Sequence, residues 1–306
     1  MALKKVALFG ANGNLGTEAL KSLASSGHFH VTVIKRESSP YTLPRALSTH
    51  THLKTVDDEL SLASLKAALH GQDAVVVSIP LRDLEQHLRI ADAAAAAGVR
   101  RVIPADYGSC DSDSPRAQEL VPLFKRKAAV RARLQELANA DAGFAWTSIV
   151  CGHFFDWGLR ENFLHFDIAR RTADILDHGK YKSSTSTLAR VGEAIVAILF
   201  TDAETTRNRV LFLQSFCVSQ LDVLAALEKA TGAKWEVSFV ESEAFIKEKK
   251  AKADAGDKEA IEDLVFALGA LDGNWETRKG FSMDLLGLEN EDLDEVVKRV
   301  VDSQQA

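Results

Sequence analysis

The sequence predicts an α/β fold, a doubly wound parallel sheet wrapped by helices, with a smaller C-terminal lobe. Three observations carry this expectation. An apolar run at residues 6–9 breaks into glycines at 10, 13 and 16. Strand-like runs at 30–34, 52–56, 74–78, 101–103 and 145–150 then alternate with helical patterns at 61–69, 84–97 and 121–138. Beyond residue 150 the alternation loosens into shorter pieces, as expected of a separate lobe.

The first run, Val6, Ala7, Leu8 and Phe9, is apolar at every position, the pattern of a parallel strand covered on both faces. After it, Gly10 permits a tight turn, Gly13 lets backbone approach a pyrophosphate, and Gly16 lets the next helix pack closely on the strand. That helix begins near Asn14, with Leu15, Ala19, Leu20 and Leu23 at helical spacing, and its free N–H groups suit phosphate. The combination predicts a Rossmann-type dinucleotide site. The second strand ends in Lys35 and Arg36. An NAD site usually carries Asp or Glu here for the ribose hydroxyls, whereas a 2′-phosphate needs a cation such as the Arg36 fork. Ser38 or Ser39 could add hydroxyls, Glu37 is the contrary residue, and the balance favours NADPH/NADP+. The expected cofactor contacts are Gly10, Asn12, Gly13, Asn14, Leu15, Gly16 and Arg36, with Ser78 at the end of the fourth strand and Lys127.

Prolines 40 and 44 make 37–44 an irregular loop before the third strand. The alanine-rich helix 84–97 suits close packing on the sheet, ends at Gly98 and delivers the fifth strand, 101–103. That strand runs into Pro104-Ala-Asp-Tyr-Gly-Ser109, at a carboxyl end where such sheets bind ligands, so Asp106, Tyr107 and Ser109 are candidates. The sixth strand, 145–150, exits into His153, Phe154, Phe155 and Trp157. Phe154, Phe155 and Trp157, with Asp106, are expected to wall a substrate pocket. Later, a helix at 191–200 and a strand at 210–213 are expected to return to the sheet, and Ser219-Gln-Leu-Asp222 has the form of a capping box. The expected division is a cofactor domain at 1–152 and a substrate lobe at 153–306, with about 190–213 rejoining the sheet.

With 306 residues, 46% apolar and 26% charged, the chain has ordinary globular composition. Its formal charge of −6 offers no general attraction for nucleic acid or an anionic membrane. Cys110, Cys151 and Cys217 are widely spaced, which argues against a disulfide framework or zinc site and suits a reducing cytoplasm. No signal peptide is expected, and no apolar run nears the ~18 residues a membrane span requires. The His-x-His pairs at 28/30 and 50/52 lack companion ligands and are expected at the surface, so no metal is anticipated.

On the helix 121–138, Phe124, Lys127, Val130, Leu134 and Leu137 form one stripe, which puts Lys127 on the apolar side. Burial and neighbouring cations would lower its pKa and make it a usable acid or base, while a snorkelling lysine with a wet ammonium is the structural alternative. Short-chain dehydrogenases normally carry a tyrosine four residues earlier; here Leu123 stands there.

These residues resemble the NmrA-like and isoflavone reductase-like branch of the atypical short-chain dehydrogenases. The resemblance spans most of the chain. It rests on GANGNLG at 10–16, VIKR at 33–36, GVRRVIPADYGS at 98–109 and FKRKAAVR at 124–131, which is similar to the family's Phe-x-x-Lys-x-x-Val-Arg stretch. TSIVCGHFFDWGL at 147–159 is similar to fungal members. The resemblance implies an NADPH-bound reductase of aromatic or conjugated small molecules, often in secondary metabolism, with Lys127 assisting proton transfer. Asp106 and Tyr107 replace the family's usual Glu and Phe, and Gly152-His153 replaces the Asn-Cys of plant reductases. Tyr107 and His153 are therefore candidate proton-handling residues, with a packing ring and a capped turn as their structural alternatives.

Three functions follow in order. The first is an NADPH-dependent reductase of a carbonyl, imine or C=C bond, acting on a small molecule as a monomer or homodimer. The second keeps the cofactor for a redox-neutral isomerisation, dehydration or rearrangement. The third is a dinucleotide sensor without catalysis, which would have little use for Lys127 on the inward stripe.

Overall fold

The fold is that of a computed structural model describing residues 2–47, 49–201 and 203–305. In chain order it begins β1 (Lys5–Phe9), α1 (Asn14–Ser25), β2 (His30–Arg36), β3 (Thr51–Val56), α2 (Leu62–Leu69), β4 (Ala74–Val77), α3 (Leu84–Ala96) and β5 (Arg101–Ile103). It continues α4 (Pro115–Leu120), α5 (Pro122–Ala140), β6 (Ala145–Val150), β7 (His153–Phe154), α6 (Phe155–Arg160), β8 (Phe166–Asp167), β9 (Thr172–Leu176) and β10 (Lys182–Ser186). Then come α7 (Leu188–Phe200), α8 (Ala203–Thr206), β11 (Arg209–Phe212), β12 (Phe216–Ser219), α9 (Gln220–Thr231), β13 (Glu236–Val240), α10 (Ser242–Asp254) and α11 (Lys258–Asp272). The last two helices are α12 (Met283–Leu286) and α13 (Leu293–Gln305).

The chain forms two compact units. The first takes the described residues through Asp106, with Leu123–Ile149 and Ala189–Leu211; the second takes Tyr107–Pro122, Val150–Leu188 and the described residues from Phe212 on. A single cut after residue 152 does not describe this division, because residues 107–122 belong with the second unit. Pro122 supplies a local reason: it ends α4 and opens α5, splitting what the sequence alone presents as a polar loop and one helix.

In the first unit a seven-stranded sheet runs β11-β6-β5-β4-β1-β2-β3. The pairs from β3 through β6 are parallel, with Val6 opposite both Val31 and Ala74. The doubly apolar runs behave as their composition requires: Val6, Ala7, Leu8, Ala74, Val75 and Val76 are fully buried. On α3, Ala91, Ala93 and Ala94 are buried in the same core cluster as Val75, Val77 and Val102, small side chains permitting close helix–sheet approach. Arg101 is a buried exception at the start of β5. Its guanidinium donates to Thr147 Oγ1 and Thr206 Oγ1, both at 2.8 Å, and to the Ala203 carbonyl at 3.0 Å, joining β5, β6 and α8. Burial pulls its pKa down to about 10, still charged at neutrality.

The second unit holds two three-stranded sheets, β12-β10-β7 and β13-β9-β8. Helix α9 starts with the capping box Ser219–Asp222 and ends at Gly232 in the left-handed region. Between β6 and β7, Gly152 has φ +71°, and a Cβ there would stand 1.9 Å from the Ser184 carbonyl oxygen of β10. Backbone strain and a backbone clash coincide at this position. We expect Gly152→Ala to destabilise the protein by about 3 kcal/mol or more, read as a lowered thermal midpoint with loss of the near-UV signal.

Candidate active site

A cavity of about 530 Å³ in the first unit opens beside the carboxyl ends of β1 and β2 and is lined by Phe9, Gly10, Ala11, Asn12, Arg36 and Gln86 among others. Its floor is the glycine turn. Gly10 has φ +84°, and a Cβ on Gly16 would fall 1.9 Å from the Gly10 carbonyl oxygen, so the first turn of α1 sits directly on the loop. Gly13 caps α1 without any side-chain acceptor, while its own N–H donates to the Gly10 carbonyl at 3.0 Å. The first-turn amides are therefore left for an anion. Leu15 and Gly16 are buried in support, and Asn12, Gly13 and Asn14 are exposed. Ser78 lies outside the lining, but its backbone abuts Gly10 and its hydroxyl is buried without a partner among the described residues.

Arg36 ends β2 at the other side of the cavity and donates to Gln86 Oε1 at 2.9 Å. Arg82 also lines the space. Ser38 behaves differently from expectation: its hydroxyl donates to Asp58 at 2.6 Å and its N–H to the same oxygen. Those bonds hold the Asp58 carboxyl below the ordinary carboxylate range, so this hydroxyl is committed within the loop. Lys35 is likewise occupied, donating to the Ser39 carbonyl at 2.8 Å. A glycine cradle, open amides and an arginine fork form a donor set suited to a phosphorylated dinucleotide.

Lys127 is buried on α5, 9% exposed, with its Nζ 5.4 Å from the centre of the Phe124 ring. It lines a narrow cleft with Leu81, His87, Pro104, Asp106 and Val130. Asp106 does not form an open pocket wall. It is 3% exposed and accepts a hydrogen bond from the equally buried Arg131 Nε, an ion pair fixing the end of β5 to α5. His87, also buried, has its pKa lowered by burial, and its Nε2 stands 3.4 Å from the Pro80 carbonyl.

In the second unit Tyr107 has φ +34°, a left-handed conformation unusual for an aromatic residue. His153 is buried; its Nε2 lies 3.3 Å from the Val265 carbonyl, its ring is stacked with Phe266 and edge-on to Phe163. Burial drives its pKa down to about 4, which favours the neutral imidazole at physiological pH, packed against α11. Phe155 is 1% exposed and edge-on to Phe216, and with His153 and Phe166 it lines a small cavity of about 30 Å³. Phe154 is half-buried at the start of α6. Trp157, half-buried, lines a cleft of about 310 Å³ with Phe163 and His165.

Residues 2–274 match the NmrA-like family. The chain belongs to that family. It is 35% identical over 240 residues to oxidoreductase aprR of Aspergillus flavus, covering 78% of each chain. It is 32% identical to oxidoreductase poxI of Penicillium oxalicum over 304 residues, 95% of this chain and 92% of the relative. Among solved structures, isoflavone reductase superposes with a TM-score of 0.78 at 20% identity, covering 97% of this chain and 99% of that one. AtPrR2 with NADP+ and (+)pinoresinol superposes at 0.75 and 16%, covering 98% and 99%. These likenesses confirm the Rossmann-type sheet.

For this NmrA-like chain, sequence reasoning missed Gln86, His87 and the Asp106–Arg131 pair. Arg131 lies four residues after Lys127, hence on the same helix face, and that spacing was the available signal. The four His-x-His residues are exposed, and among the described residues no group of three or more His, Cys, Asp or Glu could hold a metal ion. No described helix is long and apolar enough to cross a membrane, and no disulfide joins the described cysteines.

The displaced pKa of His153 sets a pH dependence. Unfolded it titrates near 6.5 and folded near 4, so below 6.5 the unfolded chain binds a proton that the folded chain refuses. Stability from this residue is intact above pH 6.5 and falls as pH drops towards 4. We expect its contribution to lose about 2 kcal/mol between pH 7.5 and pH 5, a loss that His153→Gln removes in urea unfolding at the two pH values.

Proposed function

We propose that this protein is an NADPH-dependent reductase of an aromatic or conjugated small molecule, reducing a carbonyl, imine or C=C bond. The observation that carries the reading is the cavity lined by Gly10, Ala11 and Asn12 of the glycine turn together with Arg36. The relatives named as oxidoreductases and the neighbouring structure solved with NADP+ support it. Bound there, the dinucleotide supplies the hydride.

The chain's own residues divide the remaining work. The amides at the start of α1 receive the pyrophosphate, Arg36 receives the 2′-phosphate through its planar fork, and Ser78 offers its buried hydroxyl beside Gly10. Lys127 holds the proton at Nζ and delivers it to the atom that gains charge, directly or through water. Phe124 and Val130 flank its stem, and the Asp106–Arg131 ion pair lies beside it on the same cleft. Tyr107, half-buried at the end of β5, is the second candidate for proton handling, with Phe154 and Trp157 as candidate substrate walls. The reading extends to a cytoplasmic reaction in fungal secondary metabolism; the two oxidoreductase relatives, both fungal, support its fungal part.

The test pairs nicotinamide absorbance with product mass over aromatic ketones, imines and enones. A reductase yields products two hydrogens heavier with matching NADPH consumption; products of unchanged mass without consumption would make the enzyme redox-neutral. Lys127→Ala is expected to lower kcat by about 100-fold or more while NADPH affinity changes by less than about threefold. Arg36→Ala is expected to weaken NADPH by about 30-fold and NADH by about twofold or less; equal losses would make Arg36 merely structural.

A further inference from the structure

Arg36 is the exposed terminal residue of β2, and a long side chain there has many rotamers. Its recorded anchor is Gln86, the third residue of α3, whose Oε1 accepts from Nη2 at 2.9 Å. Both residues line the 530 Å³ cavity. The chemistry of the anchor matters. Among the described residues Arg36 has no ion-pair partner within 4 Å, and Asp58, the carboxylate whose charge it feels, is already engaged by both donors of Ser38. A neutral amide oxygen therefore takes one N–H and fixes the plane of the guanidinium without neutralising it. The other N–H groups keep full charge for an incoming dianion.

We propose that Gln86 is a positioning residue for cofactor choice: it holds Arg36 in the cavity, so preference for a 2′-phosphorylated dinucleotide depends on this amide. The inference rests on the reading of the cavity as an NADPH site. It acts through preorganisation, since an arginine already held loses less freedom when phosphate arrives. A carboxylate in the same place would hold Arg36 equally well but cancel its charge and repel the phosphate.

The experiment measures binding of 2′,5′-ADP and 5′-AMP, which differ by the 2′-phosphate, by calorimetry on the full chain. Wild type is expected to prefer 2′,5′-ADP by about 30-fold or more; Gln86→Leu should cut the preference about tenfold and Gln86→Glu should nearly abolish it. Affinity for 5′-AMP should stay within about twofold, which reports an intact fold and cavity. In an Arg36→Ala background, Gln86→Leu should change nothing further. Full preference retained by both Gln86 variants would overturn the inference while leaving the NADPH reading intact. A wild type indifferent to the 2′-phosphate would overturn that reading and this inference with it.

Discussion

The seating of helix α1 on the turn that follows β1 is the constraint on which the first unit depends. With the Gly10 carbonyl oxygen 1.9 Å from where any Cβ at residue 16 would lie, one atom decides how far the helix can approach. Close approach in turn buries Leu15, Ala19, Leu20 and Leu23 against the sheet, each leucine contributing roughly 1.5–3 kcal/mol. It also leaves the first-turn amides of the helix without a side-chain cap. Packing and ligand chemistry here are one geometric fact: the contact that stabilises the sheet–helix layer leaves the anion donors open.

A second constraint is electrostatic. Helix α5 carries two buried cations a turn apart, Lys127 and Arg131, a costly arrangement in a low-dielectric interior. Asp106 makes it tolerable by pairing with Arg131. Removing either partner would disturb a buried charge balance beside Lys127, so Asp106 and Arg131 shape the field around the lysine. Burial favours the neutral form at His153, which lies among Phe163, Phe266 and the Val265 carbonyl.

Much of this was legible in the sequence because it is local. Continuous apolar runs specify strands covered on both faces, glycine spacing specifies the turn, Ser219 and Asp222 specify a cap, and the stripe on α5 places Lys127 inward. What stayed hidden is set by pairing across long sequence separations. The Asp106–Arg131 pair spans 25 residues and the Arg36–Gln86 bond spans 50. Phe155 and His153 sit in an aromatic stretch whose partners, Phe216 and Val265, lie 61 and 112 residues away in the chain. The break at Pro122 was hidden for another reason: proline is tolerated in the first turn of a helix, so it can separate two helices as readily as open one.

The division into units bears on how this protein can be altered as a module. The chain leaves the first unit after Asp106, after Ile149 and after Leu211, following β5 and closing β6 and β11. Each departure lies at the end of a sheet strand, where chain length and composition can vary while strand pairing stays in register. Exchange of the second unit between relatives is accordingly a three-segment graft whose outgoing junctions follow or close sheet strands and whose return junctions fall in the first turns of α5 and α7. A fragment cut once near residue 150 would carry the glycine turn and Arg36 but lose α7 and β11, leaving β6 as a raw sheet edge.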